Sequence, residues 1–313
     1  MKVVALAGGV GGAKLAAGLQ AALPPGNLTV VVNTADDFDL WGLHICPDLD
    51  TVTYTLAGVV NPETGWGMEN ETFDTLDMLS RYGEDAWFKL GDRDLATHIL
   101  RTSRLRSGES LTSVTSAISG ALGIPASILP MCDDPVSTVL DTPAGELEFQ
   151  EYFVRRGQRD EVHGITLRGI QDARPTSPVF DALSGAEAIV FCPSNPVVSI
   201  GPILAVPGMR EAIAASRAPK VVVSPIIGGR ALKGPADRML ASLGHEVSSV
   251  GVARMYEDIV DGMVIDSVDE DVREEIFELG MDVHATDAVM RGEPDRERLA
   301  REVMDFASSL VRI

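Results

Sequence analysis

Positive charge is scarce in this chain of 313 residues: 26 Lys and Arg face 46 Asp and Glu, a formal net charge of −20. A surface of that sign disfavours nucleic acid as a partner, because contacts to phosphates dominate such affinity. It leaves room for a small anionic ligand, which responds to the local field of one cleft. Cysteine is scarcer still. Cys46, Cys132 and Cys192 form an odd, widely spaced set with no C-x-x-C pair, which argues against a disulfide framework and for free thiols in a reducing compartment. No apolar run approaches the length of a membrane span. The opening MKVVALAGG has one Lys and a short apolar run before glycines. It reads as a buried first strand and lacks the longer h-region of a signal peptide. Internal repeats and low-complexity tracts are absent as well. These absences predict a soluble, cytoplasmic protein with neither nucleic acid nor membrane as partner. The hydrophobic content of 45% is enough for a real core.

What is present alternates. VVALA (3–7) reads as a strand, GGVGG as a turn, AKLAAGLQAAL as a helix and NLTVVVN (27–33) as the next strand. The pattern resumes with strands at EAIVFCP (187–193), KVVVSP (220–225), MVID and DVHAT. Helical segments separate them, among them ARMYEDIVDG, and DRERLAREVMDFASSL closes the chain. Short apolar strands between helices predict an α/β fold, a Rossmann-like three-layer αβα arrangement around a mostly parallel sheet. Residues 69–122 carry helical patterning without a convincing strand. They are read as a small helical insertion into a core made of 1–68 and 123–313. STVLDTPAGELEFQEYF then predicts a β-hairpin turning at Pro143-Ala144-Gly145.

In open parallel sheets, ligands bind beyond the carboxyl ends of the strands. Four loops lie there: GGVGGAK (8–14), NTADD (33–37), SNPVVSIGPI (194–203) and SPIIGGRALKGPA (224–236). The first fits neither a dinucleotide fingerprint nor a Walker loop, since Lys14 stands where a third glycine belongs and Leu15 follows that lysine. The shared physics still applies: glycines admit an anion to backbone N–H groups at a helix start. The fourth loop repeats this logic, with Arg230 and Lys233 as the nearby cations.

The acidic stretch NTADDFDLWGLHICPDLDT is harder to explain structurally. Helix capping accounts for one or two of Asp36, Asp37, Asp39, Asp48 and Asp50, but five is a surplus. Magnesium binds through one or two carboxylates plus substrate phosphates. A phosphate loop beside an acidic loop therefore points to metal-dependent phosphoryl or nucleotidyl transfer. GDRDLATH (91–98) says little by itself, because Asp92 or Asp94 as a helix cap explains it, and His98 reads as an ordinary packed histidine.

Taken together, LAGGVGGAK, NTADDFDLWGLHICPDLDT, WFKLGDRDLATH, SNPVVSIGPIL and SPIIGGRALKGPA resemble the successive signatures of the 2-phospho-L-lactate transferase family. That family acts in the biosynthesis of the deazaflavin coenzyme F-420. The resemblance implies transfer of a phospholactyl or phosphoenolpyruvyl group from a guanosine diphosphate-linked donor to the ribityl hydroxyl of the deazaflavin Fo. It further implies release of GMP, a requirement for Mg2+, and a homodimer. Carried over by position, Asp50 and Lys89 lie at the Fo site, with Asp48, Thr51, Asp92 and Arg93 of the same two motifs beside them. The GGVGG turn (Gly9, Gly11, Gly12) with Lys14, then Asn33, Ser194, Asn195, Ser199, Gly201, Gly228, Gly229 and Lys233, line the side of the GDP. Asp36, Asp37 and Asp50 become the metal ligands and catalytic carboxylates, with base and ligand roles undivided. Two rivals remain: a non-catalytic regulator that binds nucleotide-sugars on the same fold, and a dinucleotide-dependent oxidoreductase.

Overall fold

The computed structural model describes residues 1–311. β1 (Val3–Ala7) and β2 (Leu28–Val32) are joined by helix α1 (Gly9–Ala22) and pair in parallel. Around them builds a seven-stranded sheet in the order Asp282–Thr286, Gly262–Asp266, Lys220–Val223, Ala188–Phe191, β1, β2, Ser127–Pro130. Every neighbouring pair is parallel. The α/β class expected from the alternating apolar runs is the class found.

Alternation along β1 divides the core in two, because successive side chains of a strand point to opposite faces. Val4 and Leu6 join Ile189, Phe191 and Val222 on one face. Val3, Ala5 and Ala7 join Val30, Val32 and Val190 on the other. The second face is covered by α1, by α2 (Pro47–Leu56) and by the C-terminal helix Glu293–Ser309, through Leu15, Leu19, Leu49, Val52, Leu299 and Val303. Among the described residues no single helix is long and apolar enough to cross a membrane.

Several elements differ from expectation. The acidic stretch is not a plain loop: it holds a short hairpin, Phe38–Leu40 with Leu43–Ile45, and then starts α2 at Pro47. Trp41 and Gly42 both have positive φ (49° and 74°), the backbone that a two-residue hairpin turn needs. The edge strand Ser127–Pro130 was not foreseen, because four residues ending in Pro carry almost no periodic signal. The hairpin Ser137–Thr142 with Gly145–Glu148 forms as expected, and it gains a third strand, Gly164–Arg168. ARMYEDIVDG is not a helix; the helix there is Ser249–Arg254 and turns follow it. Helices α3 (Asp74–Arg81), α4 (Asp92–Arg106) and α5 (Leu111–Ala121) occupy the crossover from β2 to the strand Ser127–Pro130.

Candidate active site

From β1 the chain winds outward through β2 to Ser127–Pro130, then returns to lay Ala188–Phe191 on the opposite side of β1. The loops after β1 and after Ala188–Phe191 thus part at the point where the strand order reverses, the usual place for a ligand crevice. Ser194 ties these loops together. The Gly8 N–H donates to its Oγ at 3.1 Å, and that hydroxyl donates back to the Gly8 carbonyl at 2.9 Å. A Cβ on Gly11 would stand 2.2 Å from the Pro193 carbonyl oxygen, and one on Gly12 would stand 2.4 Å from Ser194 Oγ. Close approach of two loops, more than turn geometry, therefore requires these glycines.

Asp48, in the first turn of α2, reaches the same place. Its Oδ1 accepts the Gly9 N–H at 2.8 Å and its Oδ2 accepts Asn33 Nδ2 at 2.9 Å. Asn33 also donates to the Val198 carbonyl at 3.2 Å, which joins the end of β2 to the Ser194 loop. Burial pushes the Asp48 carboxyl up to about 6, against the hydrogen bonds from Asn33 and Gly9. Asp36 is buried beside it and is raised well above the ordinary carboxylate range by burial and by the charge of Asp48. Asp36 Oδ1 and Asp37 Oδ1 are buried oxygens without a hydrogen-bond partner. A small void of about 10 Å³ is lined by Asp36, Asp37, Thr138 and Gln150 among others, room for one water.

Asp50, two residues further along α2 and on the opposite side of the helix, is in a different environment. Arg101 of α4 forks onto it: Nη1 donates to Oδ2 at 3.0 Å and Nη2 donates to Oδ1. Both side chains are buried. His98 Nδ1 lies 3.3 Å from Arg101 Nη1, and His98 Nε2 lies 3.2 Å from Asp94 Oδ1. The Tyr54 hydroxyl donates to Asp94 Oδ1 at 2.6 Å. Burial raises the Asp94 carboxyl, but His98 and the Tyr54 hydroxyl outweigh it and leave it below its ordinary value. His98 is packed, as read from sequence, yet it belongs to a charged network. Asp94, His98 and Arg101 recur at i, i+4 and i+7, one face of a helix, and that spacing was the missed signal.

The expected ligands Asp36, Asp37 and Asp50 are therefore each engaged differently. Asp36 sits against Asp48 and Asp50 against Arg101. Asp37 meets His44, whose Nε2 is 3.6 Å from its Oδ2, and ligand atoms of Asp37, His44 and Cys46 lie within 4.8 Å of one another. Asp92 and Arg93 serve local structure. Asp92 accepts the Thr72 hydroxyl at 2.6 Å and the N–H groups of Asp74 and Thr75, which holds its carboxyl down at about 2. Arg93 Nη1 donates to the Glu69 carbonyl at 2.7 Å.

The remaining candidates are more scattered. Lys89 is exposed and follows the aromatic cluster of Phe38, Trp87 and Phe88. Thr51 is buried in α2. Asn195 Oδ1 accepts the Val197 N–H at 2.9 Å and caps the turn that leads to Gly201. Lys14 Nζ donates to the Met290 carbonyl at 3.0 Å, and burial followed by Lys233 and Arg296 lowers its pKa. Lys233 Nζ donates to the Thr64 carbonyl at 3.1 Å. Gly228 and Gly229 form the positive-φ turn between Ile226–Ile227 and Arg230–Ala231, and the Gly228 N–H donates to Asp269.

Comparison with known proteins bears on the fold and the family. The architecture is similar to that of a UPF0052 family protein from Bacillus halodurans, with a TM-score of 0.68 over 97% of this chain and 98% of that one. At 16% identity that likeness concerns the fold alone. Sequence relatives lie nearer. A Phosphoenolpyruvate transferase from Streptomyces griseus is 43% identical over 99% of both chains. A 2-phospho-L-lactate transferase from Methanosarcina mazei is 41% identical over 96% of this chain and 99% of its own. Residues 3–305 match the family described as 2-phospho-L-lactate transferase CofD. With the match spanning the glycine turn, the acidic hairpin and both charged clusters, the chain belongs to the 2-phospho-L-lactate transferase CofD family and so to the transferases.

Proposed function

We propose that the protein moves a phospholactyl or phosphoenolpyruvyl group from a guanosine diphosphate-linked donor onto the ribityl hydroxyl of the deazaflavin Fo. GMP is released, and the step belongs to coenzyme F-420 biosynthesis. The observation that carries this reading is the meeting of the α1 N-terminus, Asn33 and the buried carboxylates Asp36 and Asp48 at the strand-order reversal. An attacking hydroxyl and a charged diphosphate both need what this place offers, which is alignment and charge control.

The donor's diphosphate is assigned to the side of the glycine turn, with Lys14 and Lys233 as its cations, and Fo to the side of Asp50 and Lys89. In the reaction the ribityl oxygen forms a bond to the phosphorus that bears the acyl group. The bond from that phosphorus to the GMP oxygen breaks, and the hydroxyl proton passes to a carboxylate. Asp36 and Asp48, raised by burial, are the candidates to accept it.

Mg2+ belongs to this reading. The donor set suits a hard cation: orphaned oxygens on Asp36 and Asp37, and a like-charge pair in Asp36 and Asp48. Those residues would hold it, and it would screen the diphosphate's charge. Asp50 suits it less, since Arg101 already balances that carboxylate. A homodimer working in the cytoplasm completes the reading, and three buried free thiols accord with that compartment.

The test is calorimetry with Fo and with GDP, each with and without Mg2+, followed by turnover with both acyl donors. Binding of both ligands, with GMP released on adding either donor, supports the reading and names the acyl group. GDP binding without any Fo binding favours the nucleotide-sugar regulator instead.

A further inference from the structure

We propose that Arg101 is the positioning residue for the deazaflavin hydroxyl site, holding Asp50 as a hydrogen-bond acceptor of fixed position and plane. The inference rests on the transferase reading above and assigns to Asp50 a narrower task than metal ligand or base.

Asp50 belongs to α2 and Arg101 to α4, and residues 57–91 separate these helices in sequence. Their side chains are 8% and 3% exposed, and the guanidinium grips both carboxylate oxygens. A bidentate fork fixes the plane of a carboxylate as well as its position, which a lysine's point charge cannot do. The fork is itself braced. Arg101 Nη1 also reaches the His44 carbonyl at 3.4 Å, and His98 stands beside it, its Nε2 3.2 Å from the Asp94 oxygen that accepts the Tyr54 hydroxyl.

The two oxygens of a carboxylate offer about four lone-pair sites. The fork takes two and leaves two, enough to receive ribityl hydroxyls. A metal ion on Asp50 would instead compete with a buried guanidinium for the same two oxygens. The ligand atoms of Asp50, Asp94 and His98 lie within 4.8 Å of one another, but the cation among them is one the chain supplies.

A cross-brace between two helices would look similar in the unliganded protein, so the test must show that Arg101 acts through Asp50. Four variants serve: Arg101→Lys, Arg101→Gln, Asp50→Asn and the double Asp50→Asn/Arg101→Gln. Fo and GDP affinities are measured by calorimetry, kcat and KM for Fo by turnover, and folding by circular dichroism and melting. Arg101→Lys is expected to fold, to bind GDP within about twofold of wild type, and to raise the KM for Fo about tenfold or more. The double variant is expected to bind Fo no more weakly than the weaker single variant, since residues in one pair do not add. Folded Arg101 variants with unchanged Fo affinity overturn the inference. So does a double variant whose loss is the product of the two single losses.

A wild-type measurement guards against variants that fail to fold. A guanidinium signal protected from water exchange should shift on adding Fo and stay in place on adding GDP. Absence of any protected guanidinium counts against the locked pair. Wild-type protein that binds GDP but never Fo removes the transferase reading, and this inference with it.

Discussion

The Asp48 carboxylate accepts the Gly9 backbone N–H at 2.8 Å, so the first turn of α2 closes the N-terminus of α1. This contact places a negative side chain where a phosphate would also be drawn, and it keeps that side chain in a buried setting.

Stability should fall as pH rises through the interval from about 4 to 6. The folded-state value of Asp48, about 6, lies above its ordinary 3.8, so the folded protein binds more protons between them. The contribution is complete below 4 and lost as pH passes 6, with a ceiling on the order of 3 kcal/mol. Asp36 acts in the same direction. Denaturant midpoints measured every half unit from pH 4 to 7 should show this slope, and Asp48→Asn should flatten it. An unchanged slope in the variant would refute the assignment.

Mg2+ should raise the melting temperature of the GDP-bound protein by several degrees at pH 7.5 and by less at pH 5. Ligand at about 100 times its Kd stabilises by about 2.7 kcal/mol, and protonated carboxylates bind the cation poorly. Asp36→Asn should abolish the shift. Equal shifts at both pH values, or none, would remove Asp36 and Asp48 from the metal site.

Gly18→Ala should destabilise the protein by about 1–3 kcal/mol. Helix propensity alone predicts the opposite sign, since Gly inside a helix costs about 0.5–1 kcal/mol relative to Ala. The added Cβ, however, would stand 2.1 Å from the Arg296 carbonyl oxygen of the C-terminal helix. Urea unfolding decides which effect wins; a stabilised variant would mean that the two helices part easily.

Tyr54→Phe should cost about 1–3 kcal/mol, because its hydroxyl donates at 2.6 Å to the buried Asp94. Unfolding free energies of the two proteins at pH 7 measure this directly. A neutral outcome would show that His98 satisfies Asp94 unaided.

Lys233→Ala should weaken GDP binding while leaving Fo affinity unchanged, and it should reduce the salt dependence of GDP binding. The side chain is exposed, so its attraction is screened by salt more than that of half-buried Lys14. Calorimetry at two salt concentrations is sufficient; equal losses for GDP and Fo would contradict the division of the crevice.

Much of this protein was legible in its order of residues. VVALA, LTVVV, AIVF, KVVV and MVID announced a parallel sheet, because strands covered on both faces must be apolar at nearly every position. Glycines and aspartates beyond the strand ends pointed to a candidate ligand site, because α/β sheets open such sites there. Tertiary structure alone decided how the five aspartates divide their work. Asp48 closes a helix, Asp36 lies buried beside it, and Asp50 is claimed by Arg101 from 51 residues away. Periodicity describes one element at a time, whereas a buried ion pair depends on which faces of two separate helices come to meet. No local pattern around Asp50 names Arg101 as its partner, and only the packing of α4 against the acidic hairpin and α2 brings the two charges together.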